Sequence, residues 1–211
     1  MADRYALVVD ATNSNIKEIP AADRLVADNL LLSGATPTLT IGDAGEEDTK
    51  IVFDGAAQDF HIGLDDTDDD LKIGLGSAVG TTPAISIDEN QDVVANQEFR
   101  AVSYNDTYVS VASGASPAIN CETGNYFKHV LDQNATFTFS NPPASGTGYS
   151  FVLHLVQDST ARTVTWPGSV DWAAATAPTI SVGSGDDDFF VFATSDGGTI
   201  WYGFTAGQAM A

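Results

Sequence analysis

The residues able to do chemistry are few and scattered, and the carboxylates come first among them. Asp66-Thr67-Asp68-Asp69-Asp70 begins like a calcium loop, in which closely spaced acids supply oxygens to a hard cation. Leu71 stands where the turn glycine of that loop belongs, and its twelfth position is Ser77 instead of Glu. The EF-hand pattern therefore fails. Asp186-Asp187-Asp188 is equally short of a pattern, so both runs are expected to be solvated turns with no metal held, a hard cation near a symmetry axis being the alternative. With 29 acids in the chain, a pair spaced for glycoside hydrolysis is always on offer and points to nothing. The histidines His61, His129 and His154 lie in no triad or metal-ligand spacing. Cys121 sits beside Glu122, without a cation to activate its thiol. Gly74-Leu75-Gly76 lacks the third glycine, the helix and the basic partner of a phosphate loop. Trp166, Trp172 and Trp201 could stack on sugar rings or anchor a core. The expectation is a protein that is not an enzyme and carries no cofactor.

The elements that must position these residues divide the 211-residue chain into two regimes. Residues 1–98 hold 20 of the 29 acids, and Asp43 to Asp70 holds 11 against Lys50 alone. Aromatic residues run the other way, with 16 of 20 lying after residue 100. This contrast predicts a boundary between about Asp92 and Pro117.

In the first half, Ile41-Gly42, Ile51-Val52-Phe53, Ile62-Gly63-Leu64, Ile73-Gly74-Leu75 and Ile85-Ser86-Ile87 form short β-favouring islands. Their leading isoleucines are 10, 11, 11 and 12 residues apart, with acids and turn formers between. Short strands at that spacing fit an all-β meander or solenoid. Each island buries too little to be stable in one chain, which points to copies wrapped into a homo-oligomer. A single ordinary β-domain is the alternative. Upstream, Pro20 to Leu30 has helical character, while Leu30-Leu31-Leu32-Ser33-Gly34 also reads as a strand and turn.

The second half is β-branched and aromatic, with period-two alternation in several stretches. Strands are expected at Thr136–Phe139, Tyr149–Val156, Arg162–Trp166, Phe189–Phe192 and Ile200–Phe204. Turn-rich segments such as Asn141-Pro142-Pro143 and Asp196-Gly197-Gly198 separate them. Such punctuation predicts a β-sandwich or jelly-roll-like domain.

Charge narrows the partners. A formal net charge of −21 repels phosphate backbones and anionic headgroups, so neither nucleic acid nor membrane is an expected partner. The start Met1-Ala2-Asp3-Arg4-Tyr5 does not resemble a signal peptide, and no apolar run reaches membrane-spanning length. A single cysteine excludes an internal disulfide.

Several stretches resemble bacteriophage virion proteins. Ala6-Leu7-Val8-Val9-Asp10 through Ile16-Lys17-Glu18-Ile19-Pro20 to Asp23 is similar to the start of many tail-fibre proteins. Asp59-Phe60-His61-Ile62-Gly63-Leu64-Asp65-Asp66 and Leu71-Lys72-Ile73-Gly74-Leu75-Gly76 resemble repeat-like pieces of marine-phage fibres. Gly124-Asn125-Tyr126-Phe127, Asn134 to Pro143, Thr165-Trp166-Pro167 and Thr194 to Gly203 are similar to pieces that recur in that family.

The resemblance implies a homotrimer on the virion surface, made in the host cytoplasm. Its layout would be an N-terminal attachment segment over 1–35, an acidic intertwined β-stem over 36–100 and a β-sandwich head over 101–211. The chain is short for a tail fibre, with little room for a long shaft. A short fibre that touches the host is the leading expectation, bound to other virion proteins of the tail or to the major capsid protein. A trimeric decoration or cement protein docked on the capsid is the alternative. A carbohydrate-binding adhesin, using Trp166, Trp172 or Trp201 toward host-surface glycan, belongs to another class. A polysaccharide-degrading spike is the least favoured, for want of a long β-helical body and a carboxylate groove.

Overall fold

The computed structural model describes residues 7–10, 15–18 and 29–210, and every described regular element apart from two short 3-10 turns is a strand. The protein is all-β. Strands β1 (Leu7–Asp10) and β2 (Asn15–Glu18) pair antiparallel. The helical reading of Pro20–Leu30 lies outside the described residues over 20–28. The alternative strand at Leu30-Leu31-Leu32 does not form; these residues are irregular and exposed. The chain divides into two units, Met1–Arg100 and Ala101–Ala211.

In the first unit, β3 (Thr49–Phe53), β4 (Phe60–Asp65), β5 (Asp70–Leu75), β6 (Pro83–Ile87) and β7 (Val93–Ala95) form an antiparallel meander in chain order. Four of the five isoleucine-led islands are strands of this sheet. The exception is Ile41-Gly42, which is irregular: Gly42 has φ 95°, left-handed geometry that breaks a strand. The tight β4–β5 connection is the acid run itself, with Asp69 in the left-handed region at φ 59°, a conformation aspartate tolerates better than most residues.

The second unit is built on a six-stranded mixed sheet ordered β15-β17-β16-β13-β10-β8. Its members are β8 (Tyr108–Val111), β10 (Tyr126–Leu131), β13 (Tyr149–Gln157), β15 (Val170–Trp172), β16 (Asp187–Thr194) and β17 (Trp201–Met210). Two short parallel pairs accompany it, β9 (Ala118–Asn120) with β12 (Thr138–Ser140), and β11 (Ala135–Thr136) with β14 (Val164–Thr165). The parallel neighbours β8, β10 and β13 are linked through these small pairs, which take the place a crossover helix has in other parallel sheets.

Alternation decides which side is filled. Phe127 and Leu131 of β10, Phe151, Leu153 and Leu155 of β13, and Phe190 and Phe192 of β16 are buried together. Ile119, Ala135 and Phe137, from in and around the small pairs, pack against them. Phe139 bridges the layers edge-on, 5.1 Å from Phe151 and 5.2 Å from Trp201 between ring centroids. Such edge-to-face contacts add to the stabilisation from burial alone. A core filled between a large sheet and a layer of short strands is compatible with a β-sandwich.

Candidate functional site

Three of the residues with chemical potential are bound up in packing. Cys121 is buried, and burial pushes its thiol up to about 11, away from the reactive thiolate. His129 faces the core edge-on to Phe137, and desolvation holds its imidazole below the ordinary range. His154 Nε2 donates to Asp187 Oδ1 across 2.9 Å, and the ring stacks on Phe189 at 4.4 Å. That arrangement fixes the ring against its own sheet.

The tryptophans are also packing residues, two of them at the margin. Trp201 is 1% exposed and has no free face for a sugar, so a glycan-stacking role for it is corrected: alternation along β17 turns it inward. Trp166 is half-buried, stacked on Phe137 and set against Phe190 and Phe192. Trp172 is half-buried over Gly203, where any Cβ would lie 2.7 Å from the indole ring. It borders a hollow of about 440 Å³ together with Asp171, Tyr202 and Phe204.

The acid run after β4 is an internal ion-pair site. Lys72 Nζ lies 2.8 Å from Asp65 Oδ2 and also bonds Asp68. The Lys72 hydrogen bond holds the Asp65 carboxyl below its usual range, against the opposing effect of burial. No group of three potential metal ligands stands together among the described residues. Next along the same face, His61 is fully buried, with its Nδ1 2.9 Å from the Gly76 carbonyl. Gly63 and Gly74 complete the face, leaving room for the 76–82 segment to lie over it: Val79 Cγ2 is 2.8 Å from where a Gly63 Cβ would be, and the Thr82 carbonyl 2.6 Å from a Gly74 Cβ.

This covered face is polar. The open face of the same sheet is apolar. Its side chains fall into three rows across the strands. Phe53, Phe60 and Leu75 form the first; Ile51, Ile62, Ile73, Ile85 and Ala95 the second; Thr49, Leu64, Leu71, Ile87 and Val93 the third. Phe53 is 56% exposed and Phe60 51%, and Ile51, Ile62, Leu64, Leu71, Leu75 and Val93 are exposed as well. Beside Phe60 and Leu75 a groove of about 620 Å³ opens, walled by Pro83, Asn96 and Gln97.

Over residues 29–100, Val79 is the sole buried hydrophobic side chain. A five-stranded sheet ordinarily hides its apolar face, whereas this one shows it. The sequence carries the signal in Phe60-His61-Ile62-Gly63-Leu64-Asp65 and Leu71-Lys72-Ile73-Gly74-Leu75, which alternate strictly. Alternation sorts residues onto two faces without saying which face is open.

The chain matches no protein-family model, no curated protein and no solved structure.

Proposed function

We propose that this chain is a non-enzymatic structural protein of a bacteriophage virion, a short homotrimeric fibre at the particle surface that contacts the host. One observation carries the reading: the first unit has a sheet whose aliphatic face is open and whose covered face is polar. Such a sheet gains a hydrophobic core only in company, while the second unit has a core of its own. In the fibre, residues 36–100 are the shared stem and 101–211 the head. The acids ring the stem with negative charge, which keeps particles apart and discourages edge pairing between them.

Quantitative mass spectrometry of purified virions, against the major capsid protein, tests the role. Copies tens of times fewer than the capsid protein fit a tail-associated or single-vertex fibre. Copies of the same order mean a decoration or cement protein, and complete absence overturns the virion role.

A glycan-binding adhesin is the second reading, supported by the hollow lined by Asp171, Tyr202 and Phe204, with Trp172 at its margin. Aromatic area beside a carboxylate suits the apolar face and hydroxyls of a sugar. Glycan-array binding that is lost in Tyr202→Ala would favour it. No binding by the parent protein would remove it.

A further inference from the structure

We infer that the open face of β3–β7 is a head-to-tail seam that joins three copies of this chain around a threefold axis. Phe53 of each copy enters the groove beside Phe60 and Leu75 of the next. The inference rests on the homotrimer proposed above and adds the surface that builds it.

The occupant follows first from stability. With Val79 as the sole buried hydrophobic over residues 29–100, the sheet has no core to hold it unless something covers the face. A surface that must be covered for its own sheet to be stable calls for an obligate partner. A second copy is made with every chain and in fixed ratio. The rows are apolar apart from Thr49, without a charge among them, as in the shared cores of obligate homo-oligomers.

The number follows from shape. Five strands about 4.8 Å apart make a face roughly 24 Å wide. Two such faces laid together run near-parallel at about 10 Å, roughly 5 Å from sheet to midplane everywhere. Three faces closed into a triangular prism stand roughly 7 Å from the axis at their middles and converge at the corners. The middle strands carry the long side chains Phe60, Ile62, Leu64, Leu71, Ile73 and Leu75, and the β7 edge thins to Val93 and Ala95, whereas the β3 edge keeps Ile51 and Phe53 beside Thr49. A thin edge that meets a bulky one fits the corner of a prism closed head to tail.

Phe53 is the largest side chain at an edge, and it has a matching space. It lies in the first row, where β7 supplies no residue because its pairing ends with Ala95 opposite Ile85. The groove of about 620 Å³ occupies that corner, between Leu75, Pro83 and Asn96. A projection on one edge and a recess at the other make a heterologous contact, and a threefold rotation closes it into a ring.

The test is the solution mass of the full chain and of three variants, by light scattering, with hydroxyl-radical footprinting of the parent. The parent should run at three times its 22.1 kDa, with Phe53 and Phe60 labelled several-fold more slowly than the exposed Phe99. Ile62→Asp should abolish the three-chain species. Phe53→Ala should weaken it at least tenfold, and Val52→Asp, on the other face, should leave it intact. A single-chain parent overturns both the seam and the homotrimer, and a two-chain parent overturns the threefold closure. A three-chain parent with Phe53 and Phe60 labelled as fast as Phe99, or unmoved by Ile62→Asp, overturns this seam and leaves the homotrimer standing. If Ile62→Asp dissociates the trimer and Phe53→Ala does not, the groove contact is wrong.

Discussion

Lys72 meets Asp65 at 2.8 Å on the covered face of β4 and β5, one residue away from the open face that carries Leu64 and Ile73. The ion pair is thus enclosed while the aliphatic side chains next to it are open. It joins the two strands near their turn, with Asp68 as a second acceptor.

Lys72→Met should lower the melting temperature of the first unit, because Asp65 then faces the covering segment without its cation. The acid limb gives a sharper readout. Asp65 is held below 3.8 chiefly by the Lys72 hydrogen bond, so its contribution is present above that pH and fades as pH falls through the lower folded value. Without Lys72 the loss should begin at higher pH, seen as an upward shift of the acid-unfolding midpoint by circular dichroism. Calcium or a chelator should leave the melting temperature of the parent unchanged.

Gly74→Ala should destabilise the first unit by about 1–3 kcal/mol, the usual cost of forcing an atom into filled space. The added carbon would stand 2.6 Å from the Thr82 carbonyl and 2.9 Å from His61 Cε1, and backbone cannot step aside cheaply. Denaturant unfolding compared with Gly76→Ser would not isolate this effect, because Gly76 needs its positive φ of 83°.

Trp201→Ala should cost the second unit about 3–5 kcal/mol, as for other buried large aromatics. The indole fills the space beside Tyr149, Phe139 and Phe151. Chemical denaturation followed by the near-ultraviolet signal would measure it. A change below about 1 kcal/mol would mean that the core closes over the gap.

Cys121 should resist thiol reagents in the folded protein. With its thiol near 11, about one molecule in a thousand carries a thiolate at pH 8, and the sulfur is buried besides. Labelling with a disulfide reagent should become fast only on unfolding. Rapid labelling under native conditions would show that the 3-10 turn at Cys121–Thr123 opens.

Self-association should strengthen with salt. Each chain carries −21, so copies brought together repel, and about 0.15 M salt shortens that repulsion to a reach of about 8 Å. Dilution series at low and high ionic strength should therefore show tighter association at high salt. The opposite trend would point to an electrostatic seam and away from the aliphatic rows.

The all-β class, four strands of the first sheet and four strand regions of the second unit were legible in the sequence, because island and turn signals are local. The fifth, Thr136–Phe139, breaks at Phe137 into β11 and β12, which pair with different strands. Strands β8, β9, β10 and β15 were not picked out, as 3 to 6 residues with mixed patterning carry a weak signal. The tryptophans show the same limit. Trp201 and Trp172 have the same side chain on neighbouring strands, and only packing buries one and leaves the other beside a hollow.

By itself the sequence determined where the chain turns and which residues share a face, since strand period and turn chemistry are set by neighbours. Phe60 to Asp65 must place Phe, Ile and Leu on one side and His, Gly and Asp on the other. Tertiary structure decided which side is covered. The 76–82 segment lies on the side where Gly63 and Gly74 leave room for its backbone, and Lys72 with Asp65 satisfies the charges beneath it. That choice depends on contacts between residues far apart in the chain, and it is what leaves an aliphatic sheet face open.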